Sequence, residues 1–176
     1  MTEQKDLILD STAIQDRVKQ LGKAISREYA GKPLVVIGVL KGAFIFMADL
    51  VRTIEIPLVT DFIQVSSYGS SDTSSGTITL TKKPTTPLVG ADILLVEDII
   101  DSGLTMKWLI NHFTNQQAAS VKICALIDKA ERREVEIAID YLGFEIPKGF
   151  LVGYGLDYNE QHRHLPGVFH LHPESL

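Results

Sequence analysis

The sequence is poor in cysteine and has no excess of positive charge. Its 176 residues include one cysteine, Cys124, so no disulfide can form within the chain, and such sparse use of cysteine is typical of a reducing, cytoplasmic environment. The net charge is −5, whereas general nucleic-acid binders carry a basic face. The charge therefore argues against a nucleic-acid partner, although it allows phosphate ligands that a few local groups hold.

Long hydrophobic runs and targeting signals are also missing. No apolar stretch approaches the roughly 20 residues needed to span a bilayer, and residues 1–10 lack the apolar core of a signal peptide. We therefore expect a cytoplasmic protein with no membrane partner. Hydrophobic residues make up 45% of the chain and charged residues 22%, ordinary values for a globular fold. Because the length suits one domain, we predict a single domain over residues 1–176.

Helical and strand-like patterns alternate along the chain. Spacings of three and four predict a helix that begins with a capping box at Thr12 and Gln15 and ends before Gly31. Two more helices are predicted, over residues 43–54 and from residue 105 to about 116. In the helix over residues 43–54, one face is predicted to comprise Phe44, Met47, Ala48 and Val51. Short apolar runs predict strands at 34–40, 57–65, 92–96, 120–127, 141–144 and 150–154. The alternation predicts an α/β fold with a mainly parallel twisted sheet flanked by helices, and a small C-terminal flap.

The most informative segment runs from a buried strand into an acidic turn. Apolar residues 93–96 lead to Glu97 and Asp98, then to Asp101 and a Ser-Gly-x-Thr turn over 102–105 that opens a helix. In open α/β sheets, ligands bind at the carboxyl ends of strands. Backbone N–H groups at a helix N-terminus bind an anion, while carboxylates suit sugar hydroxyls, directly or through Mg²⁺. Phosphate and diol side by side predict a ribose 5-phosphate ligand.

A simpler interpretation is an acidic turn in which Ser102 or Thr105 caps the next helix. Capping does not account for three acids within five residues directly after a buried strand, because each costs stability unless it is used.

Residues 93–105 resemble the phosphoribosyl-pyrophosphate signature of the type I phosphoribosyltransferases: an apolar strand, an acidic pair, two apolar residues, Asp, Ser or Thr, Gly, any residue and Thr. The resemblance implies the type I phosphoribosyltransferase fold, with Glu97 and Asp98 on the ribose 2- and 3-hydroxyls. It also implies that the 5-phosphate is held by Asp101, Ser102, Gly103, Leu104 and Thr105.

Further motifs resemble the hypoxanthine-guanine branch of that family, and the similarity extends from about residue 10 to 170. Lys41 and Gly42 resemble its pyrophosphate loop. Ser67 and Tyr68 resemble the head of its lid, and the small polar residues of 66–76 independently predict a loop over the site, with a tolerated surface insertion as the alternative.

The base-binding motifs follow later in the chain. Lys129, after a buried strand, matches the lysine that donates to the purine 6-oxo group. Residues 148–158 match the base-binding segment, which implies that Phe150 stacks on the base. By the same resemblance, backbone groups around Leu151 and Leu156 read the base edge. Asp157, in the same base-binding segment, binds the Mg²⁺ on the pyrophosphate side, and Arg163 contacts pyrophosphate.

The resemblance implies a purine-salvage transferase that joins a 6-oxopurine base to phosphoribosyl pyrophosphate and releases pyrophosphate. Mg²⁺ would be held by Glu97, Asp98 and Asp157. The catalytic groups would be Asp101, Lys129 and Arg163, with Asp101 taking the proton at purine N7 unless the base loses it in solution first. The family also implies a homodimer or homotetramer. Leu151 leaves the choice between hypoxanthine and guanine open.

Three other functions fit the sequence less well. A metal-dependent phosphohydrolase usually has Asp-x-Asp at the strand end, unlike the spacing here. A nucleotide-sensing regulator on the same fold needs a basic surface or a DNA-binding segment. A dinucleotide-binding domain needs G-x-G-x-x-G after a strand, and none follows one. A zinc site among His162, His164, His170 and His172 lacks a Cys or carboxylate at a fitting spacing, so these residues are expected at the surface.

Overall fold

The fold consists of strands and helices in alternation, followed by a strand-rich C-terminal part. The computed structural model describes residues 4–68 and 77–172. Within them the elements are β1 (Lys5–Leu9), α1 (Ser11–Glu28), β2 (Leu34–Leu40), α2 (Phe44–Val51), β3 (Leu58–Tyr68), β4 (Thr77–Lys82), β5 (Asp92–Ile100), α3 (Leu104–Asn115), β6 (Ser120–Asp128), β7 (Tyr141–Glu145), β8 (Leu151–Val152) and β9 (Val168–Leu171). A short 3₁₀ turn at Ala130–Arg132 follows β6.

A six-stranded sheet in the order β4-β3-β2-β5-β6-β7 forms the centre. Its strands are parallel except β4, which pairs with β3 in the antiparallel sense at one edge. Alternate residues of a strand face opposite sides of a sheet, so Val36 and Leu94 pack with α1 and α2, whereas Val35 and Leu95 pack with α3. This arrangement confirms the predicted α/β fold with a mainly parallel sheet covered on both faces.

The flap is built from both ends of the described chain. A second sheet has the order β1-β9-β8, and β1 pairs with β9 from Lys5 opposite Leu171 to Leu9 opposite Val168. The sequence predicted a C-terminal flap, and the contribution of β1 was missed because an isolated five-residue strand has no internal sign of its distant partner.

The two N-terminal helices differ in detail from the prediction. Asp10, not Thr12, caps α1, because its Oδ1 accepts a hydrogen bond of 2.8 Å from the Ala13 N–H. In α2 the buried face holds Phe46, Met47 and Leu50, whereas Phe44 is 43% exposed. The predicted face was right for Met47 but wrong for Phe44 and Ala48. Nearly all residues of α2 are apolar, so that no polar stripe marks its outer side.

The strands at the ligand edge also differ in length from the prediction. β5 continues to Ile100, since its pairing with β6 extends from Asp92 opposite Ser120 to Ile100 opposite Asp128. Glu97 and Asp98 therefore lie inside the strand, not after it. β8 is shorter than predicted and contains two residues.

Cys124 lies in the middle of β6 and is completely buried. Burial raises the pKa of its thiol well above the usual value, which disfavours the reactive thiolate. The prediction that Cys124 packs as a small hydrophobic residue is confirmed.

Candidate functional site

Three neighbouring parallel strands end at one edge of the sheet and bring most of the predicted residues there. Lys41 and Gly42 follow β2, Glu97 and Asp98 lie near the end of β5, and Lys129 follows β6. This edge is where open α/β sheets bind ligands. The C-terminal segment reaches the same edge, because the Cβ position of Gly155 would be 2.1 Å from the Gly42 carbonyl oxygen.

The loop after β2 lies directly against the carboxylate of Asp98. A Cβ on Gly42 would be 1.8 Å from Asp98 Oδ2, far inside van der Waals contact. The peptide bond between Leu40 and Lys41 is cis. Only glycine at position 42 allows this approach, which brings the pyrophosphate loop of the prediction next to the predicted ribose-binding acid.

Desolvation dominates the electrostatics of the adjacent carboxylates of Glu97 and Asp98. Burial raises the pKa of Glu97 well above its usual value, and the negative charge of Asp98 adds to the effect. Burial also raises the pKa of Asp98, although hydrogen bonding and the positive charge of Arg163 act in the opposite direction. Side chains in this state are stabilised by hydroxyl donors or by a divalent cation.

The turn after β5 forms a cleft lined by residues from 97 to 106. Gly103 has φ +84 and precedes Leu104, the first residue of α3. The Ser102 Oγ accepts a hydrogen bond of 3.3 Å from the Leu104 N–H, and Thr105 lies in the first turn of the helix. Backbone N–H groups and hydroxyls are thus gathered at a helix N-terminus, the arrangement that binds phosphate.

Asp101 and Lys129 form a pair beside that turn. The Lys129 ammonium is 3.4 Å from Asp101 Oδ2 and 3.4 Å from the Gly149 carbonyl oxygen, and the lysine is only 7% exposed. Arg132 also donates to Asp101 Oδ2, from its Nε at 2.8 Å. The other oxygen of Asp101, Oδ1, is buried, and no hydrogen-bond partner for it lies within residues 4–68 or 77–172. One oxygen of Asp101 is thus held by two cations, while the second is enclosed and lacks a hydrogen bond within the described residues.

Phe150 is an exposed aromatic side chain next to this pair. It is 39% exposed, and its ring meets Tyr158 edge-on at 5.4 Å between centroids. Its neighbour Gly149 supplies the carbonyl that Lys129 contacts. Leu151 and Leu156 are buried, and the N–H and C=O of Leu156 both bond with Gly153. An aromatic face beside a buried cationic donor suits a flat, electron-rich ring.

A second cluster of charged side chains surrounds Arg163. Arg163 Nη1 donates to the Gly155 carbonyl at 2.7 Å, and its Nη2 pairs with Asp157 at 2.8 Å. Glu160 bridges two cations, since its Oε2 is 3.0 Å from Lys41 Nζ and 3.4 Å from Arg163 Nη2. Arg163 Nε is buried without a hydrogen-bond partner among the residues that the structure describes. Two cationic side chains therefore converge here, where an anionic ligand would replace the carboxylate of Glu160.

Comparison with known proteins decides the family. The model of the phosphoribosyl transferase domain matches residues 4–159. The hypoxanthine-guanine phosphoribosyltransferase of Bacillus subtilis is 47% identical over 167 residues, which cover 95% of this chain and 93% of that protein. This chain belongs to the hypoxanthine-guanine phosphoribosyltransferases.

Other relatives agree with this assignment. The hypoxanthine-guanine phosphoribosyltransferase of Aquifex aeolicus is 47% identical over 164 residues, which cover 93% of this chain and 92% of that protein. The crystal structure of a hypoxanthine phosphoribosyltransferase from Staphylococcus aureus superimposes with a TM-score of 0.92 at 39% identity, covering 96% of this chain and 92% of the other. The chain is therefore a phosphoribosyltransferase of purine salvage, as the resemblance implied, and the regulator and phosphohydrolase interpretations are set aside.

The predicted metal ligands do not form a preformed cluster. In the described parts of this phosphoribosyltransferase, no three His, Cys, Asp or Glu side chains are grouped so as to hold a metal ion. Asp157 is engaged by Arg163 and by the Glu160 N–H at 2.9 Å, whereas Glu97 and Asp98 lie together in β5.

The four C-terminal histidines have different environments. His162 is buried, which corrects the expectation that all four lie at the surface. Its left-handed backbone, with φ 74, turns the chain back on itself, and the Leu165 N–H donates to its carbonyl. His172 pairs with Asp6 at 2.8 Å, and its ring lies 5.2 Å from that of His170. Of these four histidines, only His164 is exposed.

The first residues of the predicted loop belong to a strand. Residues 66–68 belong to β3, where Ser67 lies opposite Ile78 and Tyr68 opposite Thr77 of β4. Residues 69–76 of the prediction lie outside the described residues.

Among the described helices, none is long and apolar enough to cross a membrane.

Three residues near the family site were missed by the sequence analysis. Arg132 and Arg133 contact the side chain and the carbonyl of Asp101, and Glu160 bridges Lys41 and Arg163. Two arginines in succession just after Lys129 were the only signal for the first pair, and exposed charges of this kind are common on helices and turns.

Proposed function

We propose that this chain joins hypoxanthine or guanine to phosphoribosyl pyrophosphate and gives inosinate or guanylate and pyrophosphate. The observation that supports this best is the position of Lys129, buried between the Asp101 carboxylate and the Gly149 carbonyl beside the exposed ring of Phe150. An ammonium group donates hydrogen bonds and accepts none. It therefore favours a base with a 6-oxo acceptor over adenine, whose 6-amino group is a donor.

The geometry supports a separate role for each end of phosphoribosyl pyrophosphate. Residues 101–105 bind the 5-phosphate at the start of α3, and Glu97 and Asp98 bind the ribose hydroxyls. Lys41, Gly42 and Arg163 bind the pyrophosphate, where the fork of an arginine suits a diphosphate.

The reaction exchanges one bond at the anomeric carbon for another. Purine N9 forms a bond to C1 of the ribose while the bond from C1 to the pyrophosphate oxygen breaks, and the electron pair leaves with pyrophosphate. Phe150 and Lys129 orient the base for this attack. Asp101 takes the proton from N7; its Oδ2 is paired with Lys129 and Arg132, whereas its buried Oδ1 has no hydrogen-bond partner in the described structure. Arg163 stabilises the charge that develops on the leaving group.

Mg²⁺ is the proposed cofactor, and two of its predicted ligands fit that role. Desolvation raises the pKa of Glu97 and that of Asp98, and oxygen donors such as these carboxylates are those that Mg²⁺ prefers. Asp157 is the third proposed ligand, although it is paired with Arg163 in this structure. A bound Mg²⁺ supplies positive charge that neutralises the diphosphate.

We further propose that residues 1–176 act as one domain in the cytoplasm, as a homodimer or homotetramer without nucleic-acid or membrane partners. Light scattering coupled to size-exclusion chromatography measures the assembly directly.

The decisive experiment incubates the purified protein with phosphoribosyl pyrophosphate and, separately, hypoxanthine, guanine, xanthine and adenine, with Mg²⁺ or with a chelator. We expect inosinate and guanylate together with pyrophosphate, no product from adenine, and no turnover in the chelator until Mg²⁺ is restored. Turnover of adenine at a comparable rate, or no product from any purine, would contradict the proposal.

A further inference from the structure

The backbone just after β5 breaks the alternation that a strand maintains. In a strand, successive carbonyls point to opposite sides. Here the carbonyls of Ile100, Asp101 and Ser102 all accept hydrogen bonds from one stretch of chain, residues 129–135. The Lys129 N–H bonds the first at 2.9 Å, and the N–H groups of Glu134 and Val135 bond the third at 3.0 and 3.2 Å.

Arg133 is the side chain that completes this set. Its Nε donates to the Asp101 carbonyl at 2.8 Å, and its Nη2 reaches the Ile100 carbonyl at 3.3 Å. The same Nη2 forms an ion pair with Asp128 at the end of β6. The Arg133 side chain is 15% exposed, so these hydrogen bonds are largely protected from water. Within the described structure, Arg133 is the one residue recorded as donating to the Asp101 carbonyl.

The direction of the carbonyls decides the direction of the N–H groups. In a trans peptide the C=O and N–H point in opposite directions, and the one cis bond recorded for the described chain is at Leu40–Lys41. When the carbonyls of residues 100–102 face the 129–135 stretch, the N–H groups of Asp101, Ser102 and Gly103 face away from it. Successive N–H groups turned to one side form a concave anion site.

Gly103 lets the turn after β5 pack closely against the 129–135 stretch. A Cβ at Gly103 would be 2.9 Å from the Val135 carbonyl oxygen and 3.4 Å from Arg133 Cδ. The turn and the 129–135 stretch are therefore in close contact.

We infer that Arg133 is a positioning residue for phosphoribosyl pyrophosphate. It holds the carbonyls of Ile100 and Asp101 toward the 129–135 stretch and thereby orients the N–H groups that bind the 5-phosphate before the ligand arrives. The inference rests on the proposed function, because it assigns the 5-phosphate to residues 101–105. Arg133 does not touch the ligand itself. Its effect is specific to the 5-phosphate and leaves the pyrophosphate end, which Lys41 and Arg163 bind, unaltered.

The test compares two ligands that each carry one end of the substrate. Ribose 5-phosphate has the 5-phosphate without the pyrophosphate, and inorganic pyrophosphate has the reverse. Binding of each is measured by calorimetry, without turnover, to the full-length protein and to Arg133→Gln, Arg133→Lys and Arg27→Gln. Arg27→Gln is the matched control, since it removes the same charge from an exposed position on α1.

We expect Arg133→Gln to weaken ribose 5-phosphate binding about 10-fold or more, the scale of one lost hydrogen bond to a charged group. Pyrophosphate binding is expected to change by less than about twofold, and Arg27→Gln to bind both ligands like the wild type. Arg133→Lys keeps the charge but lacks the fork that spans two carbonyls, so we expect it to resemble Arg133→Gln. It also provides the comparison if the glutamine variant does not fold.

Two results would overturn the inference. Equal weakening of both ligands would show a general loss of structure or charge, and wild-type affinity for ribose 5-phosphate in Arg133→Lys would show that charge alone suffices. Failure of the proposed function is distinguishable, because it would appear in the wild type as absence of transfer to any purine.

Discussion

Gly42→Ala is the substitution that most directly tests the contact between the pyrophosphate loop and the ribose-binding acid. The new Cβ would lie 1.8 Å from Oδ2, 2.4 Å from Cγ and 2.8 Å from Oδ1 of Asp98. Asp98 is only 8% exposed, so its carboxylate has little room to withdraw. The loop is also hindered from moving the other way, because the Gly42 carbonyl packs against Gly155.

The expected cost follows from this overlap. Inserting one methyl group into a packed site costs about 1–3 kcal/mol, which corresponds to a fall in Tm of roughly 2–12 °C for a chain of this size. Displacing the Asp98 carboxylate also removes a partner of the ribose. We therefore expect KM for phosphoribosyl pyrophosphate to rise about 10-fold or more, while KM for the base changes little.

The assay combines thermal unfolding with steady-state kinetics on three variants. Gly31→Ala is the comparison in which backbone strain occurs without overlap, since Gly31 has φ +77 and nothing within 4 Å of its Cβ position. It is expected to lose about 1 kcal/mol with unchanged KM. In the double variant G42A/D98A the overlap disappears, so stability is expected to recover relative to G42A although activity does not. Normal stability and normal KM in G42A would refute the argument.

Three further predictions concern single side chains. Asp101→Asn is expected to lower kcat about 100-fold or more and to change both KM values by less than about threefold, because the amide fills the same space but does not accept a proton. Phe150→Leu is expected to raise KM for the base about 10-fold, in line with the loss of one stacked aromatic, while KM for phosphoribosyl pyrophosphate stays the same. Asp61 is expected to stabilise the fold above about pH 4–5 and to lose that effect as the pH falls. Burial raises the pKa of Asp61. The backbone N–H groups of Thr86, Phe62 and Thr85 donate to its carboxylate, and together they outweigh burial and hold the pKa well below its usual value.

The measurements for these three differ. Initial rates against each substrate test the first two, and wild-type turnover in Asp101→Asn would remove Asp101 from the mechanism. For Asp61, urea unfolding of wild type and Asp61→Asn is compared between pH 7 and pH 3. We expect the two proteins to differ by about 1.5–3 kcal/mol in free energy of unfolding at pH 7. Since the pKa of Asp61 is depressed in the folded state, this difference should narrow as the pH falls below the pKa of Asp61 in the unfolded chain. A gap that stays constant over this range would argue against a charged Asp61 as its source.

The predictions from sequence were most accurate where one local pattern was sufficient. Buried strands such as β2 and β6 are continuous apolar runs, and the turn over residues 101–105 carries its own glycine and hydroxyls. Boundaries were less accurate, since β5 extends to Ile100 through pairing with β6, and pairing depends on a partner that is distant in sequence. The buried face of α2 could not be predicted because the helix is apolar on nearly every side.

The sequence alone determined the fold class and the chemistry at the ends of the strands, because strand periodicity, turn residues and the acidic motif are local properties of the chain. Only the tertiary structure decided which of these groups meet. Contacts such as those of Gly42 with Asp98, Lys129 with Asp101, and Glu160 with Lys41 join residues between 28 and 119 positions apart. The orientation of the turn after β5 also depends on Arg133, whose role is visible only when the carbonyls it binds are seen together. Such contacts arise from strand order and packing, which act between distant segments and leave no periodic signal in either one.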